Sequence, residues 1–136
     1  MDGHLEDADY RRLLQFRTGL RRFLRWSEEQ AVKAGLTPAQ HQLLLAVRGH
    51  DGERGPTIGD VAGYLQLRHH SAVGLVDRAV KAGLVERQED PADRRVARLR
   101  LTPQGEQTLQ QLTAAHLEEI ARLAPRVRDL EQGLEP

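Results

Sequence analysis

The chain has 136 residues, no cysteine, and 20 basic against 20 acidic side chains. This length is typical of one structural domain. The absence of cysteine excludes disulfides, thiolate metal ligands and cysteine-based oxidant sensing within the chain. Neither a signal peptide nor an apolar run of membrane-spanning length is found, so we expect a cytoplasmic protein with no membrane partner.

The N-terminal segment is predicted to form one long amphipathic helix. Apolar residues recur at helical spacing from Tyr10 to Leu24, and the helix is expected to continue past Trp26 and to end at Gly35. A helix of about 25 residues is roughly 38 Å long, and one small domain cannot cover so long an apolar stripe. We therefore assign residues 1–35 to a dimerisation helix. The alternative is a peripheral helix that lies over its own domain.

Two shorter helices follow, and each has a recognisable start. Thr37 is the predicted N-cap of the first, with Pro38 at the first helical position. Thr57 is the predicted N-cap of the second, with Asp60 three residues later. The glycine-rich residues 49–56 between these helices are predicted to be a loop. The end of this loop is open to a short strand that pairs with the later hairpin.

A further helix is predicted from Arg68 to Gly83. Apolar residues at the i, i+3, i+4, i+7 positions form its buried face, namely Ala72, Leu75, Val76 and Ala79. The opposite face mixes polar side chains with Gly74. A glycine within a helix costs about 1 kcal/mol relative to alanine, which is reasonable if a bulky partner must approach closely.

Residues 84–101 are predicted to form a β-hairpin with a charged turn from Asp90 to Arg95. Helix, tight turn, helix and hairpin make a winged helix-turn-helix, a mainly α fold with a small β-hairpin wing. The second helix, about 69–82, has the size to enter a DNA major groove, and the wing, about 84–101, reaches the backbone or the adjacent minor groove.

Charge is sorted toward this DNA-binding lobe, to which we assign residues 36–101. Residues 68–100 hold eight basic and five acidic side chains, although the whole chain is neutral. A DNA-binding protein needs a basic face rather than a basic total. Residues 102–136 are assigned to C-terminal dimerisation helices, which start at Thr102-Pro103 and are expected to break or bend at Pro125.

Four stretches in this order resemble the consecutive signatures of the MarR family of bacterial winged helix-turn-helix transcription regulators: LVDR at 75–78, GLVER at 83–87, DPADRR at 90–95 and LTPQG at 101–105. The resemblance implies a homodimer whose interface is built from the N- and C-terminal helices. One position departs from the pattern. Arg68 stands where many members have a Ser or Thr N-cap, and arginine has no acceptor oxygen for that role.

We expect two recognition helices, related by a two-fold axis, to read a pseudo-palindromic site in double-stranded DNA. The base contacts are predicted at the start of the helix, at His69, His70 and Ser71, with Gly74 allowing close approach. Arg68 and Arg78 are predicted to hold phosphates, which set register rather than sequence choice.

The wing is expected to contact DNA through its tip. Arg95 is predicted to enter the minor groove, where A·T-rich stretches concentrate negative potential. The family motif implies that Asp93 orients the Arg95 guanidinium, and Arg94 is predicted to hold a neighbouring phosphate.

Many relatives release DNA when a small, often aromatic acid binds between the dimer helices and the DNA-binding lobe. The resemblance places Arg22, Trp26 and His41 on the segments that line this region. We therefore expect a repressor released by a small aromatic or anionic effector, with no cofactor. No catalytic triad or phosphate-binding glycine loop is found, so no enzymatic activity is expected.

Two alternatives stay open from the sequence. One is a winged-helix module that binds a protein instead of DNA. The other is a metal-responsive regulator that uses some of the six histidines. Because no His-x3-His pair occurs and cysteine is absent, no metal ligand is assigned.

Overall fold

The structure, a computed structural model, describes the backbone of residues 3–134 and the side chains of residues 3–123. Within these residues, five helices and two strands follow one another: α1 (Asp7–Lys33), α2 (Pro38–Gly49), α3 (Ile58–Leu65), α4 (His69–Lys81), β1 (Val85–Glu89), β2 (Ala97–Leu101) and α5 (Pro103–Leu134). The segment from α3 to β2 is the predicted winged helix-turn-helix. Over the part of the chain described, no helix combines the length and apolarity needed to cross a membrane.

Both predicted threonine caps are confirmed. Thr37 Oγ1 accepts a hydrogen bond from the Gln40 backbone N–H at 3.1 Å, and the Gln40 side chain accepts from the Thr37 N–H at 3.0 Å. Thr57 and Asp60 make the same reciprocal pair at 3.0 and 2.9 Å. A threonine cap of this kind stabilises a helix by about 1 kcal/mol, so the starts of α2 and α3 are encoded locally.

The predicted glycine stops are also confirmed. Gly35 follows α1 with φ of 84°, and Gly83 follows α4 with φ of 76°. Glycine adopts this left-handed conformation without a steric cost, and a residue in that conformation ends a helix. The recognition helix therefore has the predicted length to within one residue.

α5 differs from the prediction. It starts as expected, because Thr102 Oγ1 accepts from the Gly105 N–H at 3.0 Å. Of the two alternatives expected at Pro125, the break is wrong, since α5 continues as one helix to Leu134, and a bend stays a prediction. Proline loses one N–H donor but has a helical φ, so a helix can continue past it with one hydrogen bond fewer. The apolar stripe predicted beyond Leu123 lies outside the described side chains.

The core lies where α2 and α4 meet the hairpin, α1, α3 and α5. Its buried apolar residues include every residue predicted for the inner face of α4, and they are Ala31, Leu36, Leu43, Leu44, Val47, Val61, Ala72, Leu75, Val76, Ala79, Leu84, Val85, Leu99, Leu109 and Leu112. Each fully buried leucine or valine contributes about 1.5–3 kcal/mol. This core holds α4 against the rest of the lobe.

The hairpin is joined to the loop before α3. Leu99 donates its N–H to the Pro56 carbonyl at 2.9 Å, and Thr57 forms a single antiparallel bridge with Arg98. The expected short strand is therefore present as a one-residue bridge. The backbones approach so closely that a Cβ on Gly55 would lie 1.9 Å from the Leu99 carbonyl oxygen. Only glycine fits there.

α1 and α5 pack against each other and still leave large apolar side chains in solvent: Tyr10, Leu13, Leu14, Phe16, Leu20, Leu24, Leu117 and Ile120. Their exposure ranges from 43% for Phe16 to 63% for Leu14. The excess of apolar surface that the sequence predicts for one subunit is therefore present, and it is concentrated on these two helices.

Candidate nucleic-acid interface

The first turn of α4 is fully available to a ligand. His69, His70 and Ser71 are all exposed, while Ala72 one position later is buried. This follows from the helical period, because residues 69–71 cover the outward side of the turn and the next residue faces the core. The three predicted base-contacting side chains therefore share one exposed surface at the start of the helix.

Arg68 is the N-cap of α4, and its side chain makes no capping hydrogen bond. The first N–H groups of a helix have no partner within the helix. Threonine side chains satisfy such groups in α2 and α3, whereas α4 has no side-chain acceptor. The start of α4 therefore combines an exposed arginine with backbone donors and the positive end of the helix dipole, which suits a phosphate.

Gly74 makes room for Arg78 within the helix. A Cβ on Gly74 would lie 3.2 Å from Arg78 Nη1, so the guanidinium of Arg78 folds back over the glycine one turn earlier. The sequence predicts that Gly74 allows close approach of a partner. The structure shows that the group nearest to this space is the side chain of Arg78.

The wing tip presents Arg95 in a fixed orientation. Its Nε and Nη2 donate to the two carboxylate oxygens of Asp93 at 3.1 and 3.3 Å, and its backbone N–H donates to Asp93 Oδ1 at 3.1 Å. The hydrogen bonds from the Arg95 side chain, and then from its backbone, lower the pKa of Asp93. The Arg95 side chain nevertheless stays 90% exposed. It is thus oriented by Asp93 and free to reach outward.

The remaining cations of the lobe fall into two groups. Arg87 pairs with Asp77 of α4, and Arg100 pairs with Glu86, so these arginines are neutralised within the lobe. Arg68, Arg78 and Arg94, in contrast, form no ion pair with any described residue. The three arginines predicted to hold phosphates are thus among the lobe cations without a carboxylate partner in the described part of the chain, as is Lys81.

Asp90 has a role that the sequence analysis missed. Its carboxylate is buried, and it accepts hydrogen bonds from Arg54 Nη1 at 2.7 Å, Arg98 Nε at 3.0 Å and the Ala92 N–H at 2.8 Å. These bonds, first the one from the Ala92 backbone and then the one from the Arg98 side chain, lower the pKa of Asp90. The Asp-Pro-Ala turn signature could have indicated the contact with Ala92. Arg54 is 36 positions away, and no local signal indicates it.

The structure brings two of the three predicted effector-contacting residues together around His116. The rings of Trp26 and His41 lie 4.8 and 4.9 Å from the His116 ring, measured between centroids. Arg22, the third residue, is exposed on α1. The sequence analysis missed His116 as a partner, because it is 75 positions from His41 and no periodicity relates the two.

Hydrogen bonds hold the His116 ring in one orientation. Nδ1 lies 2.7 Å from the Leu112 carbonyl and must donate to it, so Nε2 of the neutral ring accepts from Ser27 Oγ at 2.7 Å. His41 is buried, and its Nδ1 has no hydrogen-bond partner among the described residues. Burial, followed by the proximity of His116, lowers the pKa of His41.

No group of three or more histidine, aspartate or glutamate side chains in the described residues is arranged to hold a metal ion. His69 and His70 are exposed at the start of α4, His50 contacts Tyr64 with Nδ1 2.7 Å from the hydroxyl oxygen, and His41 adjoins His116. The histidines are therefore distributed over separate parts of the fold.

These features define a winged helix-turn-helix protein with a basic face. A sequence model of the MarR family matches residues 34–96. An uncharacterized HTH-type transcriptional regulator of Bacillus subtilis (strain 168), YsmB, is 46% identical over 56 residues, which is 41% of this chain and 38% of that protein. The chain thus matches well under half of the length of this curated relative.

Solved structures resemble the whole fold. The MepR–DNA complex of Staphylococcus aureus has a TM-score of 0.70 at 21% identity, over 83% of this chain and 82% of MepR. CouR from Rhodococcus jostii RHA1, bound to p-coumaroyl-CoA, has a TM-score of 0.67 at 25% identity, over 91% of each chain. The chain is thus similar to the MarR family over residues 34–96, and these structures show that it has the winged-helix fold of MarR-family transcription regulators.

Proposed function

We propose that this protein is a homodimeric, sequence-specific DNA-binding transcription regulator without enzymatic activity, and that it is a repressor released by a small aromatic or anionic molecule. The observation that carries the proposal is the Asp93–Arg95 fork, exposed at the wing tip, together with the exposed first turn of α4. A helix start and a wing tip that each present cations to solvent match the requirements of a duplex with negative backbones on both sides of its grooves.

In this proposal the start of α4 enters the major groove. His69, His70 and Ser71 contact base edges, and each of these side chains can donate or accept a hydrogen bond. Arg68, at the uncapped start of the helix, holds a phosphate. Arg78, held over Gly74, holds another. The phosphate contacts set the register in which the base contacts are read.

The wing supplies the second set of contacts. Arg95 enters the minor groove with its guanidinium already oriented by Asp93, so less side-chain entropy is lost on binding. Arg94, exposed beside it, contacts a phosphate. Because the carboxylate of Asp93 has a lowered pKa, the fork stays intact throughout the neutral and mildly acidic range.

The dimer is formed by α1 and α5. These helices expose a surface rich in large apolar side chains, and monomers rarely leave large apolar patches uncovered. A second copy of the same surface, related by a two-fold axis, covers it and places two recognition helices on one face of the duplex. Half-sites about one helical turn apart would then be read together.

The effector is proposed to bind near Trp26 and His41, with Arg22 as an anion-binding residue at the edge. The unpartnered Nδ1 of buried His41 supports this location, because a buried polar atom without a partner gains a hydrogen bond when a ligand supplies one. The aromatic rings around His116 offer faces on which a planar ligand can stack. A ligand that prefers a conformation with a different recognition-helix spacing would lower DNA affinity.

The test is DNA binding across a salt series, with promoter DNA adjacent to the protein's own gene and a random duplex for comparison. We expect tight binding to the promoter that weakens steeply between about 50 and 200 mM salt. The Arg95→Ala variant should lose roughly tenfold to a hundredfold in promoter affinity, because each protomer loses one minor-groove contact.

The matched control is Arg25→Ala. The Arg25 side chain is 85% exposed, close to the 90% of Arg95, and lies on α1 away from the helix-turn-helix. It should leave promoter affinity unchanged. If the wild type shows no preference for any duplex and binds an acidic protein through the wing instead, the protein-binding alternative replaces the DNA-binding proposal.

A further inference from the structure

The carboxylate of Asp90 connects three segments of the lobe. Arg54 belongs to the loop between α2 and α3, Arg98 belongs to β2, and Ala92 lies in the wing turn. Arg98 also donates from Nη1 to the Gly55 carbonyl at 3.3 Å, which joins β2 to the same loop a second time. One acidic side chain therefore holds the base of the wing against the segment that leads into the helix-turn-helix.

Asp90 and its two arginine partners differ in their exposure to solvent. The Asp90 side chain is 5% exposed, whereas those of Arg98 and Arg54 are 28% and 52% exposed. The carboxylate thus lies beneath two guanidinium groups that remain partly accessible from solvent. Because a carboxylate and a phosphate offer arginine the same kind of acceptor, Asp90 occupies two cations that would otherwise be available to a DNA backbone.

We propose that Asp90 is a specificity-determining residue for DNA recognition: it withholds Arg54 and Arg98 from DNA phosphates and uses them to fix the position of the wing. The inference rests on the proposed DNA-binding function and extends it to a residue outside the predicted contact surface. Phosphate contacts add affinity for every sequence equally. A residue that keeps two arginines from making such contacts therefore lowers the affinity for random DNA.

The same bonds set the position of the wing tip relative to α4. Arg98 forms the bridge to Thr57, which is the N-cap of α3, and the Ala92 N–H bond fixes the turn just before Asp93. With its base held, the wing carries Arg95 to one position. If the wing can shift, it contacts phosphates in several registers. The specific DNA site, the operator, then loses its advantage in affinity over other sequences.

The test compares wild type with Asp90→Asn. The amide is close in size to the carboxylate, and its oxygen still accepts from the Ala92 N–H. It has no charge, however, and its NH2 group replaces Oδ2, so that a donor faces the Arg98 donor that Oδ2 accepted from. Binding of the operator and of a random duplex is measured across a salt series. We expect the ratio of the two affinities to fall at least about tenfold.

The salt dependence separates this role from a structural one. Without the Asp90 charge, Arg98 loses its carboxylate acceptor and Arg54 keeps only a neutral amide oxygen. These two arginines can then add up to four phosphate contacts per dimer, and each contact steepens the slope of log affinity against log salt by about 0.9. Binding of Asp90→Asn to the random duplex should therefore be tighter at low salt and more salt-dependent than that of the wild type. Adding Arg54→Gln to this variant should reverse part of the change in slope.

Glu89→Gln is the matched control. Glu89 is the exposed neighbour of Asp90 at the end of β1, and the substitution removes the same charge. It should leave the ratio of operator to random affinity as in wild type. Thermal unfolding by circular dichroism on each variant confirms that the folded lobe is what binds.

Three outcomes are distinguishable. A lower affinity ratio with a steeper random-duplex slope in Asp90→Asn supports the inference. An unchanged ratio, or an equal loss on both duplexes without a change in slope, overturns it and leaves Asp90 as a structural residue, while DNA binding by the wild type stands. A wild type that shows no operator preference refutes the proposed function itself, and the inference falls with it.

Discussion

The winged lobe and the two terminal helices, α1 and α5, differ in how much of their apolar surface one chain buries. The lobe from α2 to β2 has threonine-capped starts at α2 and α3, a core to which α1 and α5 contribute, and a wing whose base is held by ion pairs. α1 and α5 share the same chain but leave a row of leucines in solvent. The inward apolar face of the lobe is buried in this core, whereas α1 and α5 present large apolar side chains to solvent, which we propose that a second copy of the chain covers.

This difference indicates where each part of the proposed function resides. Recognition depends on side chains that the lobe orients by itself, such as the Asp93–Arg95 fork. Spacing between two recognition helices depends on α1 and α5, because these helices would join the two lobes. Substitutions in the lobe should therefore change contacts or stability, and substitutions on the terminal helices should change assembly.

The largest effect is expected from Leu13→Glu on α1. Leu13 is 55% exposed in one subunit, so the subunit tolerates the charge, but a dimer would bury it without a partner. We expect a monomer by sedimentation. Operator affinity should fall roughly a hundredfold or more, because the second half-site contact is no longer intramolecular.

Gln15→Glu is the control for this variant. It places the same charge two positions along α1, about 160° around the helix from the substituted leucine, and Gln15 is exposed. It should leave the dimer intact. If Leu13→Glu also stays dimeric, the apolar row on α1 is not the interface, and the contrast between lobe and helices fails.

An intermediate effect is expected within the lobe from Gly55→Ala. The added Cβ would meet the Leu99 carbonyl oxygen at 1.9 Å, and neither backbone can move without separating the wing from the loop. Overpacking of this kind costs about 1–3 kcal/mol or more. Chemical denaturation measures it, and the dimer should survive.

Gly63→Ala is the matched control, and it is expected to change the free energy of unfolding in the opposite direction. A Cβ at Gly63, in α3, would meet nothing within 4 Å. It should raise the free energy of unfolding by about 0.5–1 kcal/mol, because alanine favours the helix. Similar free energies of unfolding for the two alanine variants would contradict the close wing-to-loop contact.

The smallest effect is expected from a change of pH, at His41 of α2, which adjoins His116 of α5. The folded pKa of His41 is lowered from 6.5, so below that pH the unfolded chain binds more protons than the folded chain. Stability contributed by neutral His41 is therefore complete above about pH 6.5 and is lost as pH falls toward the lowered pKa. The melting temperature of wild type should drop more between about pH 7.5 and 5.5 than that of His41→Phe. Equal drops would show that His41 is not responsible.

Local signals in the sequence were sufficient to predict the winged lobe. Thr57 with Asp60 predicted a helix start, Gly83 predicted a helix end, and the apolar spacing in α4 predicted its buried face, because each depends on residues within a turn or two of one another. The Asp93–Arg95 bond also spans only two positions and was indicated by the family motif.

The features that the sequence did not predict depend on distant residues or on competing effects. Asp90 meets Arg54 across 36 positions, and His116 meets Ser27 across 89. No periodicity encodes such pairs, which follow from tertiary packing. Pro125 predicted a break or a bend because proline disfavours helix interiors, but α5 continues without a break to Leu134.

The central claim is that two lobes, joined by α1 and α5, read one duplex. Selection from a pool of random duplexes with effector-free protein tests this claim most directly. We expect a pseudo-palindromic motif with half-sites about 10–10.5 base pairs apart, or a multiple of that spacing. Enrichment of no motif from that pool would contradict sequence-specific reading, and enrichment of an isolated half-site would contradict the dimer.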